Sequence, residues 1–121
     1  MRETCITFYL RTNGIHIHLE TLRSIGSPKR VCLLIDKSGR YLLVTPYLKR
    51  DFKSHKVPED VYKGTRTLII NSKKLCQIIA HMHNWNPNLS YCIYGRKQGE
   101  SKIVKYDLTK AQSIHSQWFE E

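Results

Sequence analysis

Histidines, cysteines and an excess of lysine and arginine are the groups in this 121-residue sequence that could do chemistry. His16 and His18 stand two apart in an alternating stretch, so on a strand both imidazoles point the same way and could meet one ion. His81 and His83 have the same spacing at the end of a helical pattern, where residues two apart do not share a face. A structural zinc takes four ligands, and neither pair has a CxxC motif or a carboxylate pair beside it to complete the set. No metal or other cofactor is expected. Cys5, Cys32, Cys76 and Cys92 are widely spaced and form no disulfide framework. Inside the apolar runs Val31–Ile35 and Tyr91–Tyr94 a reduced thiol serves as a small apolar group, which points to a reducing, cytoplasmic compartment.

Catalytic chemistry finds no foothold. Acyl transfer asks for a nucleophile on a tight turn with a histidine and an acidic orienter, but no GxSxG elbow occurs. Neither GxxxxGK[ST] nor GxGxxG is present to cradle phosphates. Glu20, Asp36 and Asp107 read as caps or ion-pair partners, and the chain is expected not to be an enzyme.

The cations remain. Twenty Lys and Arg against ten Asp and Glu leave a formal charge of +10, which raises the potential around a small domain and attracts anions. Arg11, Arg23, Lys29 and Arg30 lie in the first half, Lys49, Arg50, Lys53 and Lys56 in the middle, and Lys73, Lys74, Arg96 and Lys97 in the second half. Such side chains neutralise backbone phosphates with release of counterions. Tyr47, Phe52, Trp85 and Tyr94 are interleaved with them and could stack on bases. These twelve cations are the candidate nucleic-acid contacts.

The elements that must position them follow from periodicity. Cys5–Leu10 is a β-branched and aromatic run, and the Thr12-Asn13-Gly14 sequence has the left-handed preference of a hairpin turn into the alternating strand Ile15–His18. Leu19, Leu22 and Ile25 line a short helix that Gly26 ends. Val31–Ile35 and Tyr41–Val44 form a second hairpin. From Tyr47 to Thr65 the apolar pattern fails and the segment reads as a basic loop or linker, residues 48–65. Leu68–Ile70 is a strand entering a helix capped by Asn71-Ser72, with Leu75, Ile78, Ile79 and Met82 on one face. Tyr91–Tyr94 and Lys102–Leu108 pair as the last two strands, and the tail adds a turn of helix ending at Trp118. No stretch is long and apolar enough to span a membrane, and the first strand is too short for a secretory signal.

The two parts about 1–47 and 66–108 read alike. Ile17, Leu22 and Ile25 align with Ile70, Leu75 and Ile78 at a constant offset of 53 (70 − 17), and Val31-Cys32 aligns with Tyr91-Cys92 at 60 (91 − 31). A unit of about fifty residues buries too little surface to stand alone, so two copies are expected to share one core. The fold class is therefore α+β and mostly β. Two similar strand-helix-hairpin halves pack as one pseudo-symmetric domain over residues 1–121, in a swapped-hairpin or small barrel-like form.

The stretch Gly14 to Tyr47, GIHIHLETLRSIGSPKRVCLLIDKSGRYLLVTPY, resembles the swapped-hairpin unit of AbrB-like and MraZ-like bacterial transcription regulators. In those proteins a strand after Gly enters a short helix carrying Arg, ends at Leu-Gly and continues into a hairpin. Gly14, Arg23, Ile25 and Gly26 hold the matching positions here, and Leu68–Leu108 looks like a more distant copy, a tandem arrangement similar to that of MraZ-like proteins. Ile15 stands where the family usually has Arg, and His18 where it usually has Pro, so contacts at those two positions are not carried over. The resemblance implies a bacterial or phage regulator that binds double-stranded DNA, with a homodimer as a possible state. The alternative is a mobile-element or phage interaction protein that sequesters a small nucleotide or blocks an acidic protein partner.

Overall fold

The computed structural model describes residues 4–47 and 53–114. Lys49, Arg50, Phe52 and the helical turn expected to end at Trp118 lie outside the described residues. The chain is α+β and mostly β, folded as a nearly closed antiparallel, barrel-like sheet.

Strands β1 (Cys5–Tyr9) and β2 (Gly14–His18) form the first hairpin. Asn13 in its turn sits at φ 58°, the left-handed region that Asn tolerates better than most residues. Alternation sends Ile6, Phe8, Ile15 and Ile17 into the core and leaves Thr7, Tyr9, His16 and His18 on the outer side. Helix α1 (Leu19–Ser24) starts where the His18 Nδ1 accepts a hydrogen bond from the Glu20 N–H at 3.2 Å, and it buries Leu19, Leu22 and the adjoining Ile25. Gly26, at φ 91°, turns the chain out of it.

Strands β3 (Arg30–Ile35) and β4 (Tyr41–Pro46) are joined by a turn in which Asp36 accepts from the Ser38 hydroxyl and the Tyr41 N–H. Further on, β6 (Thr67–Asn71) enters α2 (Lys73–Met82), whose cap is the Ser72 hydroxyl on the Leu75 N–H. Strands β7 (Ser90–Lys97) and β8 (Val104–Asp107) close the second unit.

Three sequence expectations are corrected. The segment 53–65 is not merely a linker: β5 (His55–Lys56) pairs with β3, a π-helical turn covers Val61–Thr65, and Val57 and Val61 are buried. Two valines among polar residues suffice to anchor it, a pattern too sparse to show a period. On α2 the buried residues are Cys76 and Ile79, whereas Ile78 and Met82 are 41% and 48% exposed, because α2 covers the barrel end with only part of its apolar arc. Finally, the chain after β8 makes a 3-10 turn at Leu108–Lys110 and a ninth strand, β9 (Gln112–Ile114), which pairs with β7.

The strand order is β5-β3-β4-β8-β7-β1-β2-β6, with β9 beside the first half of β7. Within it the sequence β2-α1-β3-β4 recurs as β6-α2-β7-β8. β2 lies antiparallel to β6 and the pair His16↔Ile69 is separated by 53 (69 − 16), the offset of the aligned residues. β4 lies antiparallel to β8, and the hairpin pair Ile35↔Leu42 corresponds to Gly95↔Tyr106 at offsets of 60 (95 − 35) and 64 (106 − 42). Because β2 and β6 run in opposite directions side by side, the helices that follow them leave from opposite ends of the sheet. β1 fills the place between β2 and β7, but the much shorter β5 pairs with β3 and not with β6, and the barrel stays open there.

Tyr106 is the largest fully buried side chain. Its hydroxyl lies 3.0 Å from that of Thr21 on α1, which satisfies both buried groups, and burial pushes its ionisation well above the ordinary tyrosine range. Toward α2, Trp85 stacks on Tyr91 at 4.4 Å and meets the Phe8 ring edge-on at 5.5 Å.

Candidate nucleic-acid interface

Strand β7 changes partners at Gly95. Through Tyr94 it pairs with β1 on one side and, over Ser90–Cys92, with β9 on the other; from Gly95 to Lys97 its partner is β8. The Tyr106 ring occupies the space that a side chain at Gly95 would need, since a Cβ built there would lie 2.6 Å from the ring and 2.8 Å from Val104. Only glycine permits this approach, and β8 is thereby held flat against the end of β7.

With Val104 and Tyr106 pointing inward, Lys105 and Asp107 must point outward. Lys105 is the direct cross-strand partner of Arg96, also outward. Like charges directly opposite repel, at side-chain separations of about 5 Å between Cβ atoms. Lys105 Nζ rests 3.9 Å above the Tyr41 ring, and the Arg40 guanidinium approaches the same ring at 5.1 Å. Asp107 is committed elsewhere: Arg40 donates to its carboxylate through Nη2 at 2.9 Å and Nε at 3.2 Å, and Thr109 donates at 2.6 Å from Oγ1. These bonds hold the Asp107 carboxyl far below the usual carboxylate range and raise Arg40 further.

These side chains surround an open groove of about 870 Å³ on the outer face of β4, β8 and β7. Tyr41 and Tyr94 provide its aromatic surface, Arg96, Lys105 and Lys110 its cations, and Gln98 and Gln112 its amides. Tyr94 is 58% exposed. The Asp107 charge being matched by Arg40, the groove has three positive charges over. Phosphate oxygens, aromatic bases and base edges are the groups this combination is suited to contact.

Of the twelve cations named from the sequence, the ten among the described residues do not form one surface. Arg96 lines the groove and Lys97 follows it at the end of β7. Lys29, Arg30, Lys53 and Lys56 are exposed around the β3–β5 edge, where Arg30 stands opposite Lys56 and donates from Nε to the Ser54 hydroxyl at 2.8 Å. His55, between these charges, has its pKa lowered by burial and then by Lys53 and Arg30. Arg11, Lys73 and Lys74 share one end of the fold, because the β1–β2 turn accepts the Ser72 N–H at the Asn13 carbonyl, 3.0 Å away. Arg23 is engaged by Glu20 at 3.4 Å.

Among the expected aromatic contacts, Trp85 is half-buried, with one face of its indole on Tyr91 and its side chain packed against the core. Sequence reading missed Tyr41, Lys105 and Lys110. Alternation around Val104 and Tyr106 marked Lys105 as outward, but its pairing with Arg96 follows only from the β7–β8 register.

Three of the four paired histidines are engaged individually, and His81 is exposed. His16 lies against Tyr9 at 4.5 Å, His18 caps α1, and His83 Nε2–H donates to the Gly39 carbonyl at 2.7 Å. Among the described residues no three His, Cys, Asp or Glu side chains are grouped so as to hold a metal ion, and no helix is long and apolar enough to cross a membrane. Cys32 and Cys76 are buried thiols, and burial raises Cys76 to about 11. Neither the family models, the curated proteins nor the solved structures gave a match to this chain.

Proposed function

We propose that this chain is a non-enzymatic nucleic-acid-binding protein whose principal contact surface is the groove over β4, β8 and β7. The observation that carries the reading is the Arg96–Lys105 pair: two cations placed directly opposite each other beside the exposed Tyr94 and the half-buried Tyr41, with the neighbouring carboxylate already neutralised by Arg40. A phosphate backbone relieves that repulsion, and relief of a built-in repulsion adds to the affinity for an anion. The buried thiols Cys32 and Cys76 are in keeping with a cytoplasmic setting.

A second reading, regulation through duplex DNA, is favoured by a different observation. Lys73 and Lys74 are exposed at the start of α2 beside Arg11, and a helix end of this kind can enter a major groove. The two readings separate by charge reversal, measured as fluorescence anisotropy of labelled oligonucleotides with mononucleotides as competitors. Arg96→Glu with Lys105→Glu should weaken binding at least about 10-fold if the groove is the interface, the order of two lost phosphate contacts at low salt. Lys73→Glu with Lys74→Glu should do so if α2 is. Displacement of the oligonucleotide by a mononucleotide at similar concentration would instead assign the groove, whose volume is within the range of small-ligand pockets, to a single nucleotide.

A further inference from the structure

We infer that the free edge of β6 is a docking site for an extended, acidic segment of a protein partner, which adds beside β6 as the next strand of the sheet; the inference is independent of the groove. β2 uses only part of the hydrogen-bonding capacity of β6. The Leu19 N–H donates to the Arg66 carbonyl at 3.0 Å and the Ser72 N–H to the Asn13 carbonyl at 3.0 Å, so in the antiparallel register between them the even-numbered residues of β6 face β2. The N–H and C=O groups of Thr67, Ile69 and Asn71 therefore point the other way, and among the described residues none of them makes a hydrogen bond. They are strong backbone donors and acceptors, set at the repeat that an added strand requires.

β6 carries none of the features by which edge strands ordinarily avoid pairing. Its sequence Thr-Leu-Ile-Ile-Asn has no charge and no proline, its register with β2 runs without a bulge, and Ile69 is 54% exposed. The other bank of the barrel opening differs: β5 has two residues, one of them Lys56, and Pro58 follows soon after. Between the banks lies an open pocket of about 280 Å³, whose apolar lining is Pro58, Val61, Leu68 and Ile69. A strand beside β6 sets alternate side chains against this surface.

Charge selects the occupant. Arg66 precedes β6, Lys73 and Lys74 follow it, and Lys56 lines the pocket; all are exposed, and among the described residues none is in an ion pair. Against them stands Asp60 on the pocket, while Glu59 is held by Lys63 at 3.4 Å. A second copy of the chain fits poorly. The register that would use all three free residues, centred on Ile69, sets Thr67 against Asn71 and so brings Arg66 beside Lys73 and Lys74, with +10 on each chain. Carboxylates flanking a short apolar stretch meet the same cations favourably.

The probe is a labelled peptide of about nine residues, long enough to span β6 at about 3.4 Å per residue, with Glu at both ends and Val alternating with Thr between them. It is compared with the same peptide carrying Lys in place of Glu, and with the acidic peptide N-methylated through its centre, which cannot complete a ladder. Anisotropy gives the affinities, and NMR hydrogen exchange reads the amides one by one. The acidic peptide should slow exchange at Thr67, Ile69 and Asn71, with little change at Leu68 and Ile70, which β2 already protects. The Lys peptide and the N-methylated peptide should each bind at least about 10-fold more weakly, for the latter the order of two lost backbone hydrogen bonds. Ile69→Pro removes one outward N–H at an edge position and should weaken the acidic peptide several-fold. Should that variant unfold, the N-methylated peptide tests the same ladder on the native chain. Equal binding of the acidic and Lys peptides, or of the acidic and N-methylated ones, overturns the inference, as does unchanged exchange at Thr67, Ile69 and Asn71. Protection of those amides that grows with chain concentration in the absence of peptide gives the edge to a second copy and overturns it as well.

Discussion

Salt dependence is the property of the groove that can be worked from its charge count. Arg96, Lys105 and Lys110 are its cations, Arg40 is matched by Asp107, and the Asp36 carboxylate acts electrostatically on Lys105 from outside the groove. If each of the three neutralises one phosphate of a single strand, the logarithm of the association constant should fall with the logarithm of salt at a slope of about −2, three contacts at about 0.7 each. Between about 50 and 200 mM salt this is a loss of about 20-fold in affinity. Lys110→Ala removes one contact from an exposed turn, and should reduce the slope by about 0.7 and the affinity at low salt several-fold. The assay is anisotropy titration at four or more salt concentrations for both proteins. A native slope near zero would refute phosphate contact altogether. A slope about twice as steep as expected would mean that the β3–β5 edge or the start of α2 shares the ligand. An unchanged slope in Lys110→Ala would remove that residue from the interface while leaving Arg96 and Lys105 to be tested in the same way.

Other consequences concern the scaffold. Gly95→Ala places a methyl group within 2.6 Å of the Tyr106 ring and 2.8 Å of Val104, and a clash inside a packed barrel costs about 1–3 kcal/mol, so its melting temperature should drop by several degrees in calorimetry. An unshifted melting temperature would show that β7 and Tyr106 yield easily. His16 and His55 both have pKa values below the ordinary 6.5 through burial, so between the folded and unfolded values the unfolded chain binds more protons. Stability should therefore hold above about pH 6.5 and decline as pH falls below it, with Asp36 and Asp107 adding a further loss below the ordinary carboxylate range. Denaturation midpoints across pH should show the first decline, and His16→Gln with His55→Gln should flatten it. NMR titration of His55 also locates the ligand: a polyanion along the β3–β5 edge would raise its pKa, while one confined to the groove would leave it where it is.

The regular parts of the fold were legible because each carried two agreeing signals. The first hairpin had alternating apolar residues and an Asn-Gly turn, α1 had apolar residues three apart and a closing glycine, and the offset of 53 between Ile17 and Ile70 reappears as the pairing of His16 with Ile69. Illegible were elements that owe their form to a neighbour. β5 is two residues long and exists because β3 presents an edge to it; β9 follows a 3-10 turn and exists because β7 has a free side over Ser90–Cys92. Neither contains enough residues to establish a period. The exposed Ile78 and Met82 show the same limit from the other direction, since apolar spacing defines an arc on α2 but not how much of that arc the barrel end covers.

For the candidate site, net charge indicated the class of ligand without indicating its place. The ten described cations of the twelve fall into several regions, mostly turns, edges and a helix start, where solvated charge costs least. The groove is instead assembled from residues distant in sequence: Tyr41 from one hairpin, Tyr94 and Arg96 from another strand, and Lys105 and Lys110 from the return. What brings them together is pairing of β4 with β8 and of β8 with β7, and that register depends on Gly95 admitting the Tyr106 ring. A glycine that looked like the start of a loop is thus the residue on which the placement of Arg96 opposite Lys105 depends. The melting temperature and single-strand affinity of Gly95→Ala should accordingly fall together, and a variant that loses stability but keeps full affinity and salt slope would separate the scaffold from the site.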